Sequence, residues 1–175
     1  MPPNRPGAPG LAFRPLAPDD FPLLLEWLQR PHVREWWDDG DDTLEKVAAH
    51  YGADDGTARF LMLEHDPATG ATRPAGYFQH YAEADGVIGI DQFLADGERL
   101  GQGMGTRAVR AFVEQVIAPL RPRRIILDPD PRNARAIRCY EKAGFHHVAT
   151  VDTGGGTHAY MMAIDCAADD TADPI

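Results

Sequence analysis

Cysteine is scarce in this sequence: Cys139 and Cys166 are the two present. They form neither a Cys-x-x-Cys pair nor a Cys/His metal spacing, which argues against a disulfide framework and a thiolate metal site. No apolar run approaches the roughly 20 residues of a membrane span. The first ten residues are rich in Pro and Gly and hold no apolar signal core. Positive charge is also short, with 17 Lys+Arg against 27 Asp+Glu and a net charge of −10. A general nucleic-acid binder needs a basic face, so that class is disfavoured. No segment repeats. What is left is a chain of 175 residues, 43% hydrophobic and 25% charged, enough for one domain with a sizeable core. The expectation is a cytoplasmic, enzyme-sized domain with no nucleic acid, membrane or metal partner. Its acidic surplus suits a cationic small substrate, although it would equally keep the protein soluble.

The pattern of elements predicts residues 1–10 as a flexible arm, 11–165 as one domain and 166–175 as a flexible acidic tail. Leu11 to Leu16 alternates as a first strand. Pro18-Asp19-Asp20 opens a helix with Leu24, Leu25 and Leu28 on its apolar side, joined by Trp27; Pro31 breaks it, and His32 to Trp37 follow as a short turn or helix. Asp38-Asp39-Gly40-Asp41-Asp42 is an acidic loop, and Thr43 can cap a second helix. Ala58–Glu64 and Gly76–Tyr81 read as paired strands. Ala82 to Gly86 connect them to Val87–Leu94, a largely apolar strand expected at the centre of the sheet. Val109, Phe112, Val113, Val116 and Ile117 fall at i, i+3, i+4, i+7 and i+8, which predicts a strongly amphipathic helix. Arg124–Asp128 is a short buried strand, Asn133–Ala143 a helix stopped by Gly144. His147–Val151 and His158–Ile164 form a final antiparallel pair.

Between the central strand and the amphipathic helix lies Gly101-Gln102-Gly103-Met104-Gly105-Thr106. A strand, a glycine turn and a helix start form an anion site: the glycines permit close backbone approach and the free N–H groups point at the phosphate. No GK[ST] follows, and the third glycine of GxGxxG is missing, so this is neither a Walker loop nor a dinucleotide fingerprint. Taken alone it could be a tight turn. Downstream, however, the helix reads Asn133-Ala134-Arg135-Ala136-Ile137-Arg138-Cys139-Tyr140-Glu141-Lys142-Ala143-Gly144-Phe145. Loop and helix together resemble the GCN5-related N-acetyltransferase (GNAT) superfamily, and the resemblance covers Phe13 to Ile164. Within it, Gly89-Ile90-Asp91-Gln92, Leu127-Asp128-Pro129, Arg135 to Arg138 and Glu35-Trp36-Trp37 resemble aminoglycoside 6'-N-acetyltransferases.

The resemblance implies a mixed α/β fold: a mostly antiparallel sheet with one splayed parallel strand pair and helices on both faces. It implies acetyl-coenzyme A as co-substrate and a cationic small-molecule amine as acceptor, in a monomer or homodimer. The pyrophosphate would lie on the amides of Gly101, Gln102, Gly103, Met104, Gly105 and Thr106. The pantetheine would pair with the backbone of Gln92, Phe93 and Leu94, and Asn133, Ala136 and Tyr140 would face the coenzyme. The superfamily loop begins with Arg or Gln where this chain has Leu100, with Arg99 beside it.

Acetyl transfer needs a neutral amine, yet a primary amine is mostly protonated at neutral pH. A carboxylate at the site can orient the ammonium and take its proton. Asp91, in an apolar strand where an unpaired charge is costly, and Asp128, at the end of the neighbouring strand, are the candidates. Asp128 precedes Pro129 and could serve a turn instead. Tyr140 could protonate the departing thiolate. Asn133 could contact coenzyme or cap its own helix. Trp36, Trp37 and Asp38, with Gln79 and Tyr81, are expected to line the acceptor pocket, one indole packed and the other facing the acceptor. The acids of the loop could meet further ammonium groups. His32, His80, His146 and His147 show no metal spacing and receive no role. The rival activities are a siderophore-pathway hydroxylysine acyltransferase, which resembles this chain around Pro31-His32-Val33 to Trp37, another small-amine acetyltransferase, and a non-catalytic acetyl-coenzyme A sensor.

Overall fold

A computed structural model describes residues 10–167. The expected arm and tail, apart from Gly10, Cys166 and Ala167, lie outside them. Gly10 opens strand β1 (Gly10–Pro15) and pairs with His65. A 3-10 turn at Pro18–Asp20 leads into α1 (Phe21–Leu28). The two acids there do not cap the helix through their side chains. Asp20 instead takes both Arg14 nitrogens, at 2.7 and 2.8 Å, and the Ala17 N–H. α1 ends at Leu28, short of Pro31, and Pro31 itself starts the short helix expected after it, α2 (Pro31–Arg34). There its fixed φ and missing N–H suit the first turn. Thr43 caps α3 (Leu44–Tyr51) by accepting the Lys46 N–H.

Seven strands form one sheet in the order β1-β2-β3-β4-β5-β7-β6, with β2 at Ala58–His65, β3 at Thr72–Ala84, β4 at Val87–Leu94, β5 at Arg124–Leu127, β6 at His146–Gly154 and β7 at Thr157–Asp165. Every neighbouring pair is antiparallel except β4 with β5. The β3–β4 connection is two residues, Asp85-Gly86, because pairing runs on to Ala84 opposite Val87 with a register shift at Glu83. The five-residue link expected from the sequence is therefore mostly strand. The sequence pattern also predicts one regular helix through Ile117. The structure has α4 (Met104–Phe112), then a π-helical turn at Val113–Ile117 and a 3-10 turn at Ala118–Leu120. Val113 and Val116 consequently pack only partly, while Phe112 and Ile117 are buried.

Alternation along β3 and β4 sends side chains to two separate cores. Phe78 and Ile90 point to α4 and to α5 (Ala134–Ala143), with Met62, Phe112 and Phe145. Tyr77 and Phe93 point to the other face, with Leu24, Trp27, Val47 and Tyr51 of α1 and α3. Helices thus cover both faces, and residues one apart on β4 reach different chemistry. Asp91 lies on the α1–α3 face and Gln92 on the α5 face.

Candidate active site

The parallel pair is short. Val87, Ile88 and Gly89 face Arg124, Ile125 and Ile126, and there the ladder stops. Beyond Gly89, β4 stays paired to β3 as far as Leu94, while β5 stays paired to β7 through Leu127. The two strands therefore part, and Asp91 and Asp128 each stand two residues past the last matched pair, Gly89 and Ile126. The gap opens into a cavity of about 400 Å³. Its walls include Asp91, Gln92, Phe93, Leu94, Leu100, Gly101, Gly103, Gly105, Thr106, Asp128, Asn133, Ala136 and Tyr140, together with Trp36 and Trp37.

Burial pushes the Asp91 carboxyl up to about 6, the nearby charges of Asp128 and Asp39 add to the rise, and a hydrogen bond from Gln79 opposes it. That bond runs from Gln79 Nε2 to Asp91 Oδ2 at 2.9 Å. Asp128 is also raised, first by burial and then by the charge of Glu83. Tyr81 lies across β4 above Gly89, where an added Cβ would sit 2.4 Å from its ring. Burial raises its hydroxyl, as do Asp91, Asp128 and Glu83. On the α5 face, Gln92 Nε2 donates to the Tyr140 hydroxyl oxygen at 2.7 Å, so the phenolic proton is available to another acceptor. Burial holds that phenol well above its ordinary range.

The glycine loop carries two left-handed residues before α4, Gly101 at φ +77° and Gly103 at φ +80°, with no protein atom within 4 Å of where their side chains would project. Gly105 serves a different purpose from that expected. It lies inside α4, and a Cβ there would be 3.0 Å from Cys139 Sγ, so its bareness lets α4 and α5 approach. Thr106 Oγ1 is engaged with the Cys139 carbonyl at 3.3 Å. Met104 is buried, and the Gln102 side chain bonds the Glu98 carbonyl at 2.9 Å. Arg99, beside Leu100, faces away to Glu64, with its Nη2 donating to Oε1 at 2.7 Å. Asn133 Oδ1 accepts the Ala136 N–H at 3.1 Å, so the side chain caps α5 while also lining the cavity.

Of the expected acceptor residues, Trp36 and Trp37 stand on the cavity wall, whereas Asp38, Gln79 and Tyr81 are not among its lining residues. Trp37 is the packed indole: it meets Phe93 and Tyr77 edge-on at 5.2 and 5.7 Å and donates to the Tyr51 hydroxyl at 3.0 Å. Trp36 faces a cation of this chain, the Arg132 guanidinium, 6.0 Å from its ring centre. Asp38 is not part of the cavity wall; it sits 3.8 Å from Arg34 and accepts the Gly40 N–H. Asp42 is paired with Lys46 at 2.6 Å and Asp41 with His50 at 2.7 Å, so the acidic loop largely satisfies itself. Asp39, Asp41 and His50 bring their ligand atoms within 4.8 Å of one another, a spacing compatible with a metal ion.

Two groups of wall residues went unread in the sequence. His32 Nε2 lies 2.9 Å from the Leu94 carbonyl, and its ring packs against Gly97, tying α2 to the end of β4. Arg135, Arg138 and Lys142 stand on one side of α5 at the cavity. Their i, i+3, i+7 spacing was visible, but which way that face turned was not. The cavity is therefore bipolar, with carboxylates at the strand split and three cations near the glycine loop. An anionic ligand with phosphates and a cationic co-ligand can occupy it end to end.

Residues 17–153 match the family described as the acetyltransferase (GNAT) domain. The chain belongs to the GNAT acetyltransferases. Within that class it is similar to the aminoglycoside N(6')-acetyltransferase type 1 of Klebsiella pneumoniae, 38% identical over 171 residues that span 87% of this chain and 82% of that protein. It superposes on the crystal structure of the aminoglycoside acetyltransferase AAC(6')-Ib in complex with coenzyme A and kanamycin, with a TM-score of 0.77, 36% identity, and coverage of 89% and 95% of the two chains. A lysine N-acyltransferase of Mycobacterium tuberculosis is 27% identical over 152 residues, 77% of this chain and 68% of its own.

Proposed function

We propose that this protein transfers the acetyl group of acetyl-coenzyme A to the 6'-amine of an aminoglycoside, an antibiotic-resistance activity. The bipolar cavity carries the reading, and the likeness to aminoglycoside N(6')-acetyltransferases supports it. Pyrophosphate would rest on the amides of the Gly101–Thr106 turn and the start of α4, where the helix dipole is positive. Arg135, Arg138 and Lys142 would add charge. Pantetheine would run along Gln92–Leu94, where β4 has lost its β5 partner, and would compete with His32 for the Leu94 carbonyl.

The acceptor arrives as an ammonium ion. Asp91 takes its proton, and a carboxyl raised to about 6 is ionised at neutral pH yet more basic than a free aspartate. The amine nitrogen forms a bond to the thioester carbonyl carbon, the C–S bond breaks, the electron pair leaves with sulfur, and the second proton of the nitrogen, shed after attack, replaces the one that sulfur receives. Tyr140, its oxygen held by Gln92, directs its O–H to the leaving thiolate. Asp128 and Tyr81 hold the acceptor at the second strand end, and Trp36 would receive it by releasing Arg132. A cytoplasmic location would fit this reading, since the reaction consumes acetyl-coenzyme A. The test is coenzyme A release with kanamycin, hydroxylysine and spermidine as separate acceptors. Release with kanamycin is expected. Release with hydroxylysine alone would move the protein to the lysine acyltransferases, and binding without release would make it a sensor.

A further inference from the structure

Asp91 is the end of a hydrogen-bonded chain that starts on β3. The Tyr77 hydroxyl donates to Gln79 Oε1 at 2.7 Å, and Gln79 Nε2 donates to Asp91 Oδ2 at 2.9 Å. The three share one sheet face: Tyr77 and Gln79 are two apart on β3, and Gln79 faces Asp91 across to β4. Tyr77 is 0% exposed, stacked on Phe93 at 5.4 Å and met edge-on by Tyr51 at 5.4 Å. Its ring is locked, so only the hydroxyl hydrogen is free to turn. Beside that hydroxyl lies the Arg59 guanidinium, whose side chain is 6% exposed and whose position is fixed by Asp55 at 2.7 and 3.1 Å. Arg59 Nε is buried with no hydrogen-bond partner among the described residues.

A guanidinium has donors and no acceptor. Next to it, the Tyr77 proton turns away, toward Gln79. Gln79 must then receive through Oε1, which leaves its NH₂ for the carboxylate. Without the Tyr77 hydroxyl the amide is free to turn over and set Oε1 against Asp91, acceptor against acceptor. We propose that Tyr77 and Gln79 are positioning residues, a one-way hydrogen-bond relay polarised by Arg59, which holds Asp91 Oδ2 and leaves Oδ1 for the acceptor amine. The catalytic consequence rests on Asp91 being the base. The other groups facing Asp91 are Asp128 after β5, Asp39 of the acidic loop, Tyr81 on β3 and Tyr140 on α5. None of them replaces the Gln79 donor.

Tyr77→Phe removes one oxygen and keeps the ring. Carboxyl carbon-13 titration of the coenzyme-free protein reads Asp91 directly. Loss of a donor to the ionised form is expected to move its midpoint up, by roughly half to two pH units. Gln79→Leu is expected to move it at least as far, and the double variant no further than Gln79→Leu, because Tyr77 acts through Gln79. The acid limb of kcat/KM for kanamycin moves up with the midpoint, while the KM for acetyl-coenzyme A stays constant. An unmoved midpoint in folded Tyr77→Phe, or additive shifts in the double variant, overturns the relay. A midpoint that moves while the acid limb stays in place upholds the relay and overturns Asp91 as base. If Tyr77→Phe does not fold, Gln79→Leu and Gln79→Met at their half-buried position carry the same comparison.

Discussion

Replacing Asp91 by asparagine is expected to slow acetyl transfer and, at neutral pH, to make the protein more stable. The carboxyl is pushed from its ordinary 3.8 to about 6 by burial and by the charges of Asp128 and Asp39. A folded-state value above the unfolded one means that the native protein binds this proton more tightly than the unfolded chain does. Ionisation therefore costs native stability. The cost is complete above about pH 6, shrinks as the pH falls, and is gone below 3.8. At about 1.4 kcal/mol per pH unit, the gap corresponds to roughly 3 kcal/mol at neutral pH. Asparagine keeps an oxygen to accept the Gln79 bond and carries no charge, so most of that cost is relieved. For a chain of this size, 3 kcal/mol is on the order of 6–12 °C in melting temperature. The assay is thermal unfolding of wild type and Asp91→Asn without coenzyme from pH 4 to pH 8. The curves should converge at acid pH and separate as the pH rises, with the variant on top. A pH-independent difference, or a variant less stable at pH 7.5, would refute a buried, destabilised carboxylate. Turnover should fall roughly ten- to a thousandfold, the range of general-base and electrostatic contributions.

Gly103→Val should abolish tight coenzyme binding, since its side chain enters open space at the loop and its φ of +80° is strained for a branched residue; unchanged affinity by calorimetry would put the phosphates elsewhere. Tyr140→Phe should lower kcat with little change in the KM for acetyl-coenzyme A, since in the proposed role the hydroxyl would act on sulfur only as the C–S bond breaks; a loss confined to thermal stability would make it a packing residue. Arg138→Ala with Lys142→Ala should weaken coenzyme binding most at low salt, and an affinity loss that salt does not change would contradict a charge role. Asp39→Asn should lower the pH at which Asp91 gains its proton, shifting the acid limb of kcat/KM slightly downward, because it removes a neighbouring negative charge.

Much of the fold was legible in the chain. A largely apolar run located β4 at Val87–Leu94 residue for residue, and the amphipathic run after the Gly-rich turn located α4, which starts earlier than expected, at Met104 within that turn. Thr43 announced its helix by a side-chain oxygen before a helical pattern, and it does cap α3. Errors gathered where local signals compete. The amphipathic run predicts one regular helix through Ile117, but α4 gives way to a π-helical turn after Phe112. Ala82 to Gly86 looked like a link because Asp85-Gly86 ends it, but the register with β4 recruits Ala82 and Ala84 into the strand.

The sequence determined the residue types that the chemistry needs, their place on particular elements and, through the loop and the Asn133–Phe145 helix, the family. These are local properties, set by neighbours a few positions away. Tertiary structure decided what lies a strand or a helix apart. The stop of the β4–β5 ladder after Gly89 and Ile126 sets Asp91 and Asp128 at one gap, and the turn of α5 brings Arg135, Arg138 and Lys142 to the same cavity. Packing of α4 on α5 made Gly105 a spacer, and pairing across β3 and β4 joined Tyr77, Gln79 and Asp91. No spacing within one segment encodes those meetings, because register and packing angle fix them between segments far apart in the chain.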